Sequence, residues 1–226
     1  MNEFKHTDNQ ELSKSKAEGF KNIKPENGMT KDKAKEIYNQ GFKENIVEKV
    51  NEKIEGQTLD SDRSLGRLEY MIMSEERKEF ANRSDGKWSG EPGNSIFFPK
   101  KIEARDALRS YNQSGIEYRD GEPDFSKVSE ATIQIENMTS NRHANFVKAD
   151  NECAKQWNEH CKDGRTDWKA RDVKEWRQEN RYSWHERLDM KTMDLVQRDI
   201  HEECKHYGGV SQCKRHENYN GGGFDE

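Results

Sequence analysis

Three of the chain's seven histidines, His185, His201 and His206, fall in one short stretch, YSWHERLDMKTMDLVQRDIHEECKHYGG, running from Tyr182 to Gly209. Neutral imidazoles ligate divalent ions, and a free one can accept a proton from water. Three of them close together can therefore hold one metal beside a general base. A metal held by a few imidazoles keeps coordination positions open to substrate oxygens, the arrangement expected of hydrolytic rather than structural sites. Glu186 and Asp189 add carboxylates within the same stretch.

The elements that must position these groups follow from local pattern. Residues 182–186 read as a strand, with Tyr182, Trp184 and Glu186 on one face and Ser183 and His185 on the other. A polar turn, Arg187–Lys191, leads to a second strand, Thr192–Val196, whose Met193 and Leu195 face a core. A helix is predicted to start near Asp199 and to close at Gly208 and Gly209, a stop signal. His201 and His206 are then separated by about 140° around an ideal helix. Both can reach one ion only if the last turn breaks at His206.

The pattern WHE…DMKTM-x-LV…IH….H-x-GG, built by Trp184, His185, Glu186, Asp189 to Met193, Leu195, Val196, Ile200, His201, His206, Gly208 and Gly209, resembles the HNH nucleases of the endonuclease VII superfamily that carry a WHH-type signature. These occur as toxin domains of bacterial polymorphic toxin systems. Upstream blocks, Trp88–Ser95, Tyr118–Ser126 and Ile133–Phe146, resemble the same group, so the likeness covers roughly 85–209. The resemblance implies an α+β fold with a ββα-metal core at 182–209, and metal-dependent cleavage of nucleic-acid phosphodiester bonds. It implies His185 as general base or ligand, His201 and His206 as metal ligands, and Glu186 and Asp189 as orienting or water-binding groups. One divalent ion (Mg, Mn or Zn) is the expected cofactor. DNA is favoured over RNA as substrate, and a cognate immunity protein is the expected partner. Two departures stand out: Gln197 occupies a position where the family often has Pro, and the middle asparagine of the HNH motif has no counterpart, leaving Asp189 or Asp194 to fix the turn.

A competing reading takes His201, Cys204, His206 and Cys213 as a structural zinc set in an interaction module without catalysis, although H-x2-C-x-H is not a standard zinc-finger spacing. Chelation separates the two, because a structural zinc site unfolds when stripped.

Preceding elements read as follows. Residues 1–84 form a polar tail and then helices: one from an N-cap at Thr30 through Ile37, Phe42, Ile46 and Val50, another with Leu65, Leu68, Met71 and Ile72 on one side. DGKWSGEPGNSIFFP, from Asp85, reads as an irregular aromatic loop. Ile102–Tyr111 is a short helix, Asp120-Gly121 a turn, and Ala131–Asn137 a half-buried strand. Helices are expected from Asn141 and from near Thr166. The nuclease-like domain is taken as 85–216, with 217–226 a flexible tail.

Composition bounds the rest. The chain has 226 residues, of which 30% are hydrophobic and 37% charged, so its core is modest. The net charge of −5 does not announce a nucleic-acid binder, although the stretch from Asn141 to His216 is its least acidic part. No apolar run approaches a membrane span, and the start, MNEFKHTDNQ, lacks the regions of a secretory signal. The expectation is a protein with no membrane association that stays in the producer's cytoplasm or is exported by a signal-independent route into a target cell. The four cysteines read as reduced thiols.

Overall fold

The computed structural model describes residues 40, 43–46, 48–49 and 61–220, in two compact units, Met1–Glu55 and Gly56–Glu226. In the first unit the described residues are helical. The remainder of the helix expected from Thr30, the tail before it, and residues 221–226 of the expected C-terminal tail lie outside the described residues; residues 217–220, expected in that tail, instead end a helix. Everything that follows concerns the second unit.

Its first element is α1 (Ser61–Ala81). The Tyr70 and Ser74 hydroxyls donate to the two carboxylate oxygens of Asp120 at 2.8 and 2.9 Å, and Arg77 Nε donates to the Asp120 carbonyl at 2.9 Å. The helix is thereby riveted to a tight turn in which Asp120 and Gly121 both have positive φ. A side chain at Gly121 is excluded twice, by its φ of +79° and because a Cβ would lie 2.4 Å from the backbone of Arg77.

That turn joins the last two strands of a four-stranded antiparallel sheet, β1 (Gly86–Trp88), β2 (Ile96–Pro99), β3 (Ile116–Arg119) and β4 (Glu122–Asp124), paired in sequence order. The segment expected to be an irregular loop from Asp85 to Pro99 is instead a hairpin, with Trp88 opposite Phe97. Gly90, Pro92 and Gly93 fall in the connection, Gly86 opens β1, and the strands are only 3 and 4 residues long, too short for alternation to show. The expected short helix is present as α2 (Ile102–Ser110).

A second sheet has the order β5 (Ser129–Gln134), β7 (Thr192–Gln197), β6 (Tyr182–Glu186), all antiparallel. The strand predicted at 131–137 thus begins and ends earlier, at Ser129 and Gln134. Against this sheet pack α3 (Arg142–Glu159), whose N-cap Asn141 accepts from the Ala144 amide at 3.1 Å, and α4 (Ala170–Glu179). The central strand β7 is buried on both faces. Met193 and Leu195 enter one core with Ala149, Cys153, Trp157, Val173 and Trp184; Val196 enters another with Phe97, Leu108, Tyr118, Phe125 and Ile200. Trp157 meets Trp168 and Trp176 edge to face, at ring-centroid distances of 4.7 and 5.0 Å. A chain with little apolar residue content thus builds its core from a few large rings, each of which buries about 150–250 Å². Among the described residues no helix is long and apolar enough to cross a membrane.

Candidate metal centre

The hairpin of β6 and β7 is locked at its turn and its base. Asp189 accepts from the amides of Lys191 and Thr192 at 3.0 and 2.8 Å and from the Thr192 hydroxyl at 2.5 Å. The Arg187 guanidinium clamps the fully buried Asp194 through two bonds of 2.6 and 2.8 Å, and Asp194 also accepts from Thr132 on β5. Asp194 stands directly opposite His185 in the strand register. On the other face of β6, Trp184 donates its indole N–H to Asp150 at 2.8 Å, and Asp150 is paired bidentately with Arg177. His185 therefore projects from a strand fixed on both sides.

The segment after β7 departs from expectation in one respect. The helix α5 (Arg198–His201) ends at His201, a turn follows, and a new helix, α6 (Gly209–Asn220), begins where the sequence suggested that a helix would close. Gly208 and Gly209 serve a close approach: a Cβ on Gly208 would lie 2.9 Å from the Glu186 carbonyl, and one on Gly209 would lie 2.5 Å from the Arg187 carbonyl. The start of α6 thus sits hard against the end of β6. The break required between His201 and His206 is present, and it spans the whole interval between them rather than one frayed turn.

His185, His201 and His206 converge, with candidate ligand atoms all within 4.8 Å of one another. Their ring centroids are 4.7 Å (His185–His206), 5.1 Å (His201–His206) and 5.5 Å (His185–His201) apart. Phe125 forms one wall, with its centroid 4.8, 5.6 and 6.0 Å from the rings of His185, His201 and His206. His206 Nδ1 donates to the Cys204 carbonyl at 2.6 Å, which leaves Nε2 as the acceptor nitrogen. His185 is 1% exposed, and its Nε2 has no hydrogen-bond partner among the described residues. A buried polar nitrogen left unpartnered costs about 1–3 kcal/mol, so this atom points to a ligand. Burial, reinforced by the neighbouring imidazoles, holds the pKa of His185 well below the usual range. Burial likewise brings His201 down to about 3 and His206 to about 4. All three are therefore neutral at physiological pH, the form that ligates a metal. The donor set and the orphaned nitrogen together fit a divalent ion.

Glu186 borders the same cavity, of about 510 Å³, with Ser140, Arg142, Ser211 and Lys214 on its other walls. The carboxylate is 3% exposed, its Oε1 has no partner among the described residues, and Arg142 Nε lies 3.5 Å from its Oε2. Burial raises the Glu186 pKa, and the positive charge of Arg142 opposes that rise. His185 and Glu186, on opposite faces in a regular strand, reach one cavity because β6 ends there and the chain turns.

Of the residues singled out in the sequence, the structure brings together His185, His201, His206 and Glu186. Asp189 lies apart from that cavity and spends its carboxylate on the hairpin turn. The alternative zinc set is not assembled: Cys204 lies in the core with Tyr118, while the Cys213 thiol points at the Met138 carbonyl, 3.5 Å away. Sequence reasoning missed Phe125 and Arg142. Each is remote from the motif, and only the upstream blocks containing them hinted that those segments mattered.

Comparison with known families gives one finding at this place. Residues 115–208 match the family model described as the DNase/tRNase domain of colicin-like bacteriocins, a span that contains the whole triad. No curated protein matches the chain. The matched segment is a toxin-type nuclease domain, the structure around it is mixed α+β, and its three histidines form a cluster able to bind a metal in a family of metal-dependent nucleases.

Proposed function

We propose, taking the bacteriocin-type nuclease domain as the premise, that this chain is a one-metal endonuclease acting on DNA, with His185, His201 and His206 as the metal ligands and Glu186 as general base. The observation that carries this reading is the meeting of three neutral imidazoles and one buried, half-unpartnered carboxylate at a single cavity. A bound divalent ion supplies Lewis-acid polarisation of a phosphoryl oxygen and stabilisation of the leaving oxygen. With all three imidazoles committed as ligands, none is free to accept a proton. Glu186 Oε1 is the remaining acceptor, and burial strengthens its hold on a proton taken from the attacking water. Phe125 keeps water from one side of the ligands, and its edge contacts fix their ring planes. Asp189, as hairpin lock, supports the geometry from a distance.

The producing cell would then need a dedicated inhibitor protein, and delivery would take the domain into a target cell. The test is incubation of the full chain with plasmid DNA and with RNA, in magnesium, manganese or zinc, alongside His185→Ala. Metal-dependent cleavage by wild type alone is expected, with DNA the better substrate. Absence of cleavage with every metal, or equal cleavage by the variant, would overturn the assignment.

A further inference from the structure

Beside the triad lies a set of groups that the hydrolytic step does not use. Arg142, at the first position of α3, and Lys214, on α6, both line the cavity. The Arg142 side chain is 63% exposed and meets Glu186 only through Nε at 3.5 Å, leaving most of its donors directed elsewhere. Lys214 is exposed and makes no ion pair among the described residues. The first amides of a helix lack carbonyl partners within the helix, and its start carries about half a positive charge; in α6 the Ser211 amide is taken by the Gly208 carbonyl at 2.9 Å, so the amides of Gly209 and Val210 are the ones concerned. Gly208 and Gly209 bring that end of α6 against the end of β6, where Glu186 stands. Glu217 of α6 accepts from the Ser140 amide at 3.1 Å, which ties the start of α3 to α6 and fixes the two cations relative to each other.

A second observation marks this as a place for a ligand. Glu186 Oε1 and His185 Nε2 are both buried and have no partner among the described residues, and both residues line the same cavity. The protein's net charge is −5, so a polyanion is not drawn to it in general. Local cations have to overcome that field, and the Glu186 carboxylate, before a phosphate can approach.

We propose that Arg142, Lys214 and the first turn of α6 form a phosphate clamp that takes the backbone phosphate next to the one being cleaved. The clamp rests on the phosphodiester reading of the same cavity. It makes the preferred substrate a chain with consecutive phosphates, because an isolated phosphodiester fills the reaction position and leaves the clamp empty.

The test is fluorescence anisotropy of a labelled oligonucleotide bound to the full chain without added metal, over a range of salt concentrations. Each lost phosphate contact reduces the slope of log K against log salt by about 0.9 for duplex and about 0.7 for single strands. Lys214→Ala and Arg142→Ala should each show that reduction and bind several-fold more weakly. Lys214→Glu should bind more weakly still, and Lys214→Arg should restore the wild-type slope. Circular dichroism and thermal melting identify any variant that has merely unfolded, and the Arg replacement remains informative in that case. Unchanged slopes in folded Ala variants, alongside plasmid cleavage by wild type, would overturn the clamp alone. A reduced slope in a protein that cleaves nothing would overturn the nuclease reading, and with it the clamp's place beside a cleaved phosphate, leaving only a phosphate-binding patch.

Discussion

Asp150 is the most exacting place to test how the site is held. Its carboxylate accepts two bonds from Arg177, at 2.8 and 3.0 Å, and one from the Trp184 indole at 2.8 Å. The Asp150 and Arg177 side chains are 4% and 8% exposed. Asp150→Ala therefore strands a buried guanidinium, which keeps the face of Phe146, 5.3 Å from its central carbon. Breaking a buried pair from one side costs about 3–5 kcal/mol. An indole N–H left without its acceptor adds about 1–3 kcal/mol. Both penalties come from one carboxylate and partly overlap, so the expected loss is about 4–6 kcal/mol. Total stability for a domain is about 5–15 kcal/mol, so the variant should be near or beyond the edge of folding. The assay is urea unfolding followed by tryptophan fluorescence, to which Trp184, bonded to Asp150, contributes. Replacing both partners, Asp150→Leu with Arg177→Met, should recover most of the loss, because an apolar pair leaves no stranded charge. A loss below about 1 kcal/mol for Asp150→Ala, or a double variant no more stable than the single, would refute the reasoning.

The other predictions address the ligands, the base, the glycine contact and pH. Adding zinc or manganese should raise the melting temperature of wild type, by the equivalent of about 2.7 kcal/mol at a hundredfold excess over Kd; His201→Ala should abolish the shift, and calorimetric titration checks it. Glu186→Gln should keep that metal-induced shift while lowering the cleavage rate by about 10²–10⁴-fold; a variant with wild-type turnover would remove Glu186 from the base role. Gly209→Ala places a Cβ 2.5 Å from the Arg187 carbonyl and 2.7 Å from Met138 Sδ, so it should destabilise by about 1–3 kcal/mol, read as a lower urea midpoint. Acid should loosen α1: burial alone would raise the Asp120 pKa, but the hydrogen bonds from Tyr70 and Ser74 outweigh it and bring the value below normal. A depressed carboxylate contributes stability above its unfolded pKa of about 3.9, and that contribution is lost as pH falls through the lower folded value. Hydrogen exchange of α1 amides should accelerate across that acid window in wild type and show no such step in Asp120→Asn.

How much of this was legible in the sequence depended on whether a signal was local. The β6 strand was readable to the residue because alternation continues from Tyr182 to Glu186, and the α3 start was readable because Asn141 caps it through its own side chain. The hairpin of β1 and β2 was not, since strands of three and four residues carry no period and Gly90, Pro92 and Gly93 dominate the composition between them. The most informative case is the interval from His201 to His206. Its spacing excludes a regular helix carrying both ligands, so helical geometry alone demands a break. Where the break falls is not fixed by that argument. The glycine pair supplied a plausible stop, but Gly208 and Gly209 do different work: they remove the side chains that would keep the start of α6 away from Glu186 and Arg187. Glycine at a helix boundary has the same one-letter signature whether a helix ends there or another begins against a neighbouring strand, and only the tertiary neighbour distinguishes the two. The same holds for Phe125 and Arg142. Each reaches the site across a sequence separation that no periodicity spans, one standing as a wall against His185 and the other placing a positive charge beside Glu186.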